Sequence, residues 1–274
     1  MDSRQVQINL DLGKLKEFSV LGIRRAAAFL GVGINSTESW KNPSLVLDGE
    51  LRWQFFPDAL SELKLKEVVE EFRVWIIGNA MRELDANFNI FLDQAWQAKE
   101  WMKLHNSRVP SNHAVQSIAG DTNAANKFEK LLRDIGGDQG NVERLKTLSN
   151  FRNCLTHGRG VAGPRYINSN GKMVIKWLAF DVIIKDNSTN QEITMESAIV
   201  GQKVFKDGGK VSLKVCERNR EFELNSQAFL RPKDLQELCF FYLQITDQAV
   251  GALREYLEGL GIEVAPVKSS GEGA

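Results

Sequence analysis

The stretch from Asp58 to Leu104 constrains this chain more than any other. Leu60, Leu63, Val68, Phe72, Trp75, Ile76, Met81, Leu84, Phe88, Phe91, Leu92, Ala95, Trp96 and Met102 recur at steps of three and four, the spacing of one face of an α-helix. Asp58 stands where an N-cap belongs, with Glu62 in the turn that follows. At 1.5 Å per residue a continuous helix here would span about 65–70 Å. Gly78-Asn79 either divides it into two helices or is absorbed into one. Trp75, Trp96 and Trp101 fit the stripe as core or interface residues. So much apolar surface exceeds what one short partner helix can cover, so the pattern predicts a helical bundle that also homodimerises.

The remaining segments supply partners. Leu12 to Leu30 reads as a helix stopped by Gly31, Gly33 and Asn35. Ser36 to Pro57 reads as irregular chain with one or two short strands, and His105 to His113 as a loop. Asp121 to Ile135 is a short helix ended by Gly136-Gly137. Asn141 then caps a helix over Val142 to His157, with Val142, Leu145, Leu148, Phe151 and Leu155 on one arc and Gly158 and Gly160 as its stop. From Lys172 the apolar period shifts to two. Met173 to Ile184, Ile193 to Val200, Val211 to Val215 and Glu221 to Leu224 read as strands, with Asp207-Gly208-Gly209 and Arg218-Asn219 among the turns. Pro232 opens a last helix, Leu235 to Leu260.

This order predicts an α+β chain: a mainly α-helical up-and-down bundle with a small antiparallel β unit inserted before the last helix. The expected divisions are a mixed N-terminal segment over 1–57, a bundle over 58–165 plus 231–262, a β insertion over 170–226, and a disordered tail over 266–274.

Composition removes several function classes. Thirty-five Lys and Arg balance thirty-five Asp and Glu, so the chain is no bulk polycation, although a local basic patch remains open. No apolar run is long enough for a membrane span. Cys154, Cys216 and Cys239 are far apart, odd in number and outside any C-x-x-C pair. That spacing points to a reducing, cytoplasmic setting without structural zinc. His105 and His113 have no carboxylate or cysteine neighbour and read as loop residues, so no metal site and no cofactor is expected. Gly31-Val32-Gly33 is no dinucleotide fingerprint, and neither a phosphate loop nor a Gly-x-Ser-x-Gly elbow occurs. The cluster of Lys14, Lys16, Arg24 and Arg25 reads as a solvated helix face.

One segment has a chemical look: Phe151-Arg152-Asn153-Cys154-Leu155-Thr156-His157-Gly158-Arg159-Gly160. On its helix Asn153 and His157, four apart, project together away from the apolar arc, and Arg152 flanks that arc. Arg can offset the charge of a phosphorane, His titrates near neutrality, and Asn can orient a substrate group. From Gln139 to Arg165 five Lys or Arg stand against Glu143 alone. Arg144, Lys146 and Arg159 are the candidate substrate-binding cations. Because Arg152, Asn153 and His157 lie off the core arc, substituting them is expected to leave folding nearly intact.

The Arg, the Asn directly after it and the His five residues beyond the Arg resemble the R-x(4–6)-H motif of the HEPN superfamily (higher eukaryotes and prokaryotes nucleotide-binding domains). The resemblance implies a four- or five-helix bundle that homodimerises with two motif copies facing each other. It also implies metal-independent endoribonuclease activity of the toxin, antiviral-defence or RNA-processing kind. Arg152 and His157 would be the catalytic pair and Asn153 the accompanying polar residue. RNA would be the substrate, with an antitoxin or regulatory protein as a further partner. The first 57 residues and the strands depart from the family's usual core. The second reading is a non-catalytic homodimeric interaction protein in which Arg152 and His157 stabilise an interface. The two are distinguished by whether the motif opens on a basic cleft or is closed by carboxylates.

Overall fold

A computed structural model describes residues 10–38, 46–47, 53–54, 60–106, 123–194 and 208–264. The chain runs α1 (Leu12–Glu38), a two-strand pair of β1 (Val46–Leu47) and β2 (Trp53–Gln54), then α2 (Glu62–Asn106), α3 (Ala124–Ile135) and α4 (Val142–His157). It continues with β3 (Lys172–Asp186), β4 (Glu192–Thr194), β5 (Gly209–Glu223) and α5 (Pro232–Gly259). The fold is α+β and mainly helical, with a small antiparallel sheet ahead of the last helix.

α2 is continuous for 45 residues. Gly78-Asn79 is absorbed: the Asn79 side chain donates back to the Trp75 carbonyl at 2.7 Å. Its start is later than Asp58, which lies outside the described residues. Ser61 stands at the cap instead, its hydroxyl accepting from the Lys64 amide.

α1 does not stop at Gly31. It runs on to Glu38 because Gly33 serves packing rather than termination. A Cβ there would meet Ile76 Cδ1 at 2.4 Å, so the missing side chain lets α1 close on α2. Gly22 does the same one contact earlier, where a Cβ would lie 2.4 Å from that of Asn87 and 2.8 Å from the Glu83 carbonyl oxygen. Leu12, Leu15, Ala26 and Leu30 enter the same core as the rest of the bundle. The Ser19 and Thr246 hydroxyls join α1 to α5 at 2.7 Å.

The centre of that core is aromatic. Phe88 packs against Phe91, Phe128 and the edge of Tyr242, with ring centroids 5.6–5.7 Å apart. Burying side chains of this size contributes about 1.5–3 kcal/mol each. Two lysines are drawn in with partners. Lys99, fully buried, reaches Asp134 and Glu100 and lies 3.4 Å from the Trp96 ring centroid. Lys127 reaches Asp93 at 2.7 Å. α3 begins at Asn123, whose side chain caps Ala125, and ends at Gly136 in the left-handed region. Asn141 makes no capping bond with its side chain. It donates to Gln248 on α5 instead.

The sheet has the order β4-β3-β5 and is antiparallel throughout. Arg218-Asn219 is not a turn. β5 passes straight through it, paired with Trp177 and Lys176, so the two short strands expected there are one. Of Ile193 to Val200, residues 195–200 lie outside the described residues. Met173, Ile175, Trp177 and Ala179 alternate onto one face of β3 and bury against the bundle. Phe222 on β5 stacks on Phe151 of α4. The Trp177 indole donates to Glu237 of α5 at 3.0 Å. The sheet is thus sewn to α4 and α5, and its inner half shares the core of the bundle.

Candidate functional site

α4 lies along α2 with its last turns beside the middle of the long helix. A Cβ at Gly78 would sit 3.8 Å from that of Leu155, and one to two turns further along α2 the Arg152 guanidinium donates to Asp85 Oδ2 at 2.8 Å. Asp85 is 5% exposed and Arg152 22%. The motif arginine therefore does more than flank the apolar arc. It neutralises a carboxylate that the stripe of α2 carries into the core, and so is not a residue whose removal leaves folding untouched.

The surroundings of this pair are polar and incompletely satisfied. Asp85 Oδ1, Asn89 Oδ1, Ser149 Oγ and Arg152 Nε are buried with no hydrogen-bond partner among the described residues. Asn89 donates to the Asp85 carbonyl and to Oδ2. Burial pushes the Asp85 carboxyl above its ordinary range, and the Arg152 charge, helped by Lys127, opposes that rise. The Tyr242 phenol is also held up, by burial first and by the Asp85 charge second.

The other motif residues point elsewhere. Asn153 is half-buried, and its carbonyl accepts from the Tyr166 hydroxyl. His157 is exposed at the last turn. It follows Arg152 by five residues, roughly 140° around the helix and about 7.5 Å along it. One chain thus presents the cation toward α2 and the imidazole toward solvent.

Two of the three candidate substrate-binding cations are already engaged. Arg144 holds Glu217 of β5 through Nε and a terminal nitrogen, at 2.9 and 2.6 Å. Lys146 bridges Glu143 and Glu129, which raise its pKa. Those charges tie α4 to its neighbours instead of facing an open surface. Arg159 differs. It is exposed, takes φ 52°, and makes no ion pair among the described residues. The adjoining Gly160, at φ 76°, makes the tight turn that sets Arg159 there.

A groove of about 610 Å³ runs along the α2–α4 seam. Trp75, Asn79 and Arg82 of α2 form one wall, and Thr156 and Arg159 stand opposite. It ends one helical turn short of the Arg152–Asp85 pair. Compared with family models, curated proteins and solved structures, the chain matches none. Its chemistry therefore has to be read from its own side chains.

Sequence reasoning missed Asp85, Trp75 and Arg82 as parts of this region. Asp85 did carry a signal: with Met81, Leu84 and Phe88 it completes the apolar stripe, and a carboxylate at a stripe position needs a buried cationic partner. Trp75 fits the stripe by spacing yet is 62% exposed, which spacing alone does not reveal. No three His, Cys, Asp or Glu side chains converge on a metal position among the described residues. His105 is exposed at the end of α2, and His113 lies outside the described residues. The cysteines are free thiols whose pKa values burial raises, that of Cys239 to about 11. This is the reverse of an activated nucleophile. No helix among the described residues is long and apolar enough to cross a membrane.

Proposed function

We propose that the protein is a metal-independent endoribonuclease of HEPN type, working as a homodimer. One observation carries the reading. In the final turns of α4 an arginine is oriented by a buried carboxylate, and an exposed histidine stands five residues further on at the end of the same helix. Asp85 fixes the direction of the Arg152 guanidinium, and a pre-oriented cation needs little rearrangement to meet a developing phosphorane charge. The substrate's 2′-hydroxyl attacks its own phosphate. His157 moves the proton between attacking and leaving oxygens, and the products carry 2′,3′-cyclic ends. Arg152 and His157 of one chain diverge around the helix, so the reading draws the imidazole for each phosphate from the second copy's motif. A toxin or defence setting, with a regulatory protein as partner, is part of the same proposal.

The test is purified protein against a mixed RNA pool in EDTA, with analysis of product ends. Wild type is expected to cut and leave cyclic phosphates. His157→Ala, altering an exposed side chain, is expected to lose at least about a hundredfold in rate at an unchanged melting temperature. A wild-type protein that cuts nothing across the pool, or an alanine variant that cuts equally well, refutes the assignment.

One observation favours the second reading, a non-catalytic interaction protein. Arg152 is already charge-neutralised by Asp85, as an arginine kept only for structure would be. That reading predicts a stable dimer with no cleavage by wild type and no effect of His157→Ala on the dimer's RNA products, since none form.

A further inference from the structure

β5 is an edge strand. It pairs with β3, and no other described element lies against its backbone. Between Gly209 and Phe222 its backbone makes no hydrogen bond outside that pairing among the described residues. In an antiparallel edge strand every second residue points both its N–H and its C=O away from the neighbouring strand. One side of β5 therefore carries a row of open donors and acceptors.

The side chains along this edge are divided by face. Met173, Ile175, Trp177 and Ala179 place one face of the sheet on the bundle, and the two-residue period puts Val211, Leu213 and Val215 on the other. All three are more than half exposed. They stand directly opposite Ile184, Val182 and Phe180 of β3, so this end of the ribbon presents an apolar patch two strands wide. Lys210, Ser212 and Lys214 occupy the reverse face and are exposed as well. Neither lysine forms an ion pair among the described residues. Lys214 faces Asp181, which Arg218 already holds, and Lys210 faces another cation, Lys185. An inward-pointing charge would guard such an edge against pairing. None stands among the three apolar residues, and the lysines lie behind them.

Open backbone groups select an extended chain over a helix or a small molecule. The patch calls for apolar residues at alternate positions of that chain, and the lysine face for carboxylates at the positions between. A second copy of β5 fails the second condition. Pairing that joins the two apolar patches also brings two Lys210–Lys214 faces together. A slip of one residue lays the patch of each copy on the lysines of the other.

We infer that the outer edge of β5 is a docking site for an extended segment of another protein, in which apolar and acidic residues alternate and which adds to the sheet as a fourth strand. The inference stands on the sheet alone and goes beyond the ribonuclease reading. Its test uses no RNA, so either can fail without the other.

The test uses the full-length protein and a fluorescently labelled peptide of about nine residues, alternating Val and Glu, the length of an ordinary strand. Anisotropy is expected to show saturable binding at submillimolar protein. A peptide of the same composition with its Val and Glu in two blocks cannot sort them onto two faces, and is expected to bind roughly tenfold more weakly. In a Lys210→Glu, Lys214→Glu double variant, which alters exposed side chains, the alternating Val–Glu peptide is expected to lose roughly tenfold and an alternating Val–Lys peptide to gain by a similar factor. Absence of saturation, equal binding of the alternating and block peptides, or equal binding by the double variant overturns the inference. So does a free protein whose oligomer is dissociated by Leu213→Asp in light scattering, because a second copy then occupies the edge. Outward-facing β5 amides that resist hydrogen exchange in a peptide-free monomer overturn it too, because the chain then covers its own edge.

Discussion

Arg152→Ala tests the site and the fold together. In the folded protein Asp85 is almost fully buried, and among the described residues Arg152 is its one direct ionic partner, at 2.8 Å. Removing one member of a buried pair leaves an uncompensated charge, which costs about 3–5 kcal/mol. Arg152 keeps a fifth of its side chain in water, so solvent already screens part of the attraction, and about 2–4 kcal/mol is the appropriate range here. For a chain of this size that is a fall in melting temperature of about 5–12 °C.

The loss also depends on pH, with a definite sign. Burial raises the Asp85 pKa above its ordinary value even with Arg152 present. The folded state therefore binds a proton more readily than the unfolded state, and this group's contribution to stability falls as pH rises through the window above the ordinary carboxylate value. Without Arg152 the opposing charge is gone and the window widens upward. Thermal melts of wild type and variant should thus lie closer at about pH 5 than at about pH 8. A double-mutant cycle with Asp85→Asn should return a coupling of at least about 1 kcal/mol. An Arg152→Ala protein that melts with wild type at both pH values, or a cycle with no coupling, would refute the reasoning. The same numbers govern any activity assay, because a rate lost in Arg152→Ala is partly lost fold. His157→Ala is the cleaner mechanistic probe.

Gly22→Ala should destabilise by about 1–3 kcal/mol, read by denaturant unfolding, because a methyl there drives into Asn87 and the α2 backbone; an unchanged midpoint would mean that α1 is not locked onto α2. On the proposed composite site, in which a second copy supplies His157 to each Arg152, light scattering at micromolar concentration should give twice the chain mass; a monomer would remove that site.

Much of the architecture was written locally. The three- and four-residue steps of α2, α4 and α5, the change to a two-residue period at Lys172 and the glycines after Ile135 and His157 each act within a few residues. The elements they specify are those observed. Local signals misled where a residue serves a distant partner. Gly31 and Gly33 read as a helix stop, yet Gly33 exists for Ile76, more than forty positions away. Arg218-Asn219 read as a turn, but cross-strand pairing with Trp177 and Lys176 carries β5 straight through.

The motif divides in the same way. Its ten residues, their helical setting and their terminal glycines are properties of the sequence. Which of its charges are spent and which are free is not. Arg144 on Glu217, Lys146 on Glu129 and Arg152 on Asp85 are ion pairs across 73, 17 and 67 positions. Such pairing depends on distances of a few ångströms that only the packed helices define. The sequence by itself determined that a cation, an amide and an imidazole would share the end of one helix. The tertiary structure decided that the cation is anchored, that Arg159 makes no ion pair among the described residues, and that a tryptophan of the apolar stripe faces an open groove, because charge and exposure are settled by what lies across the interface and not by what precedes or follows in the chain.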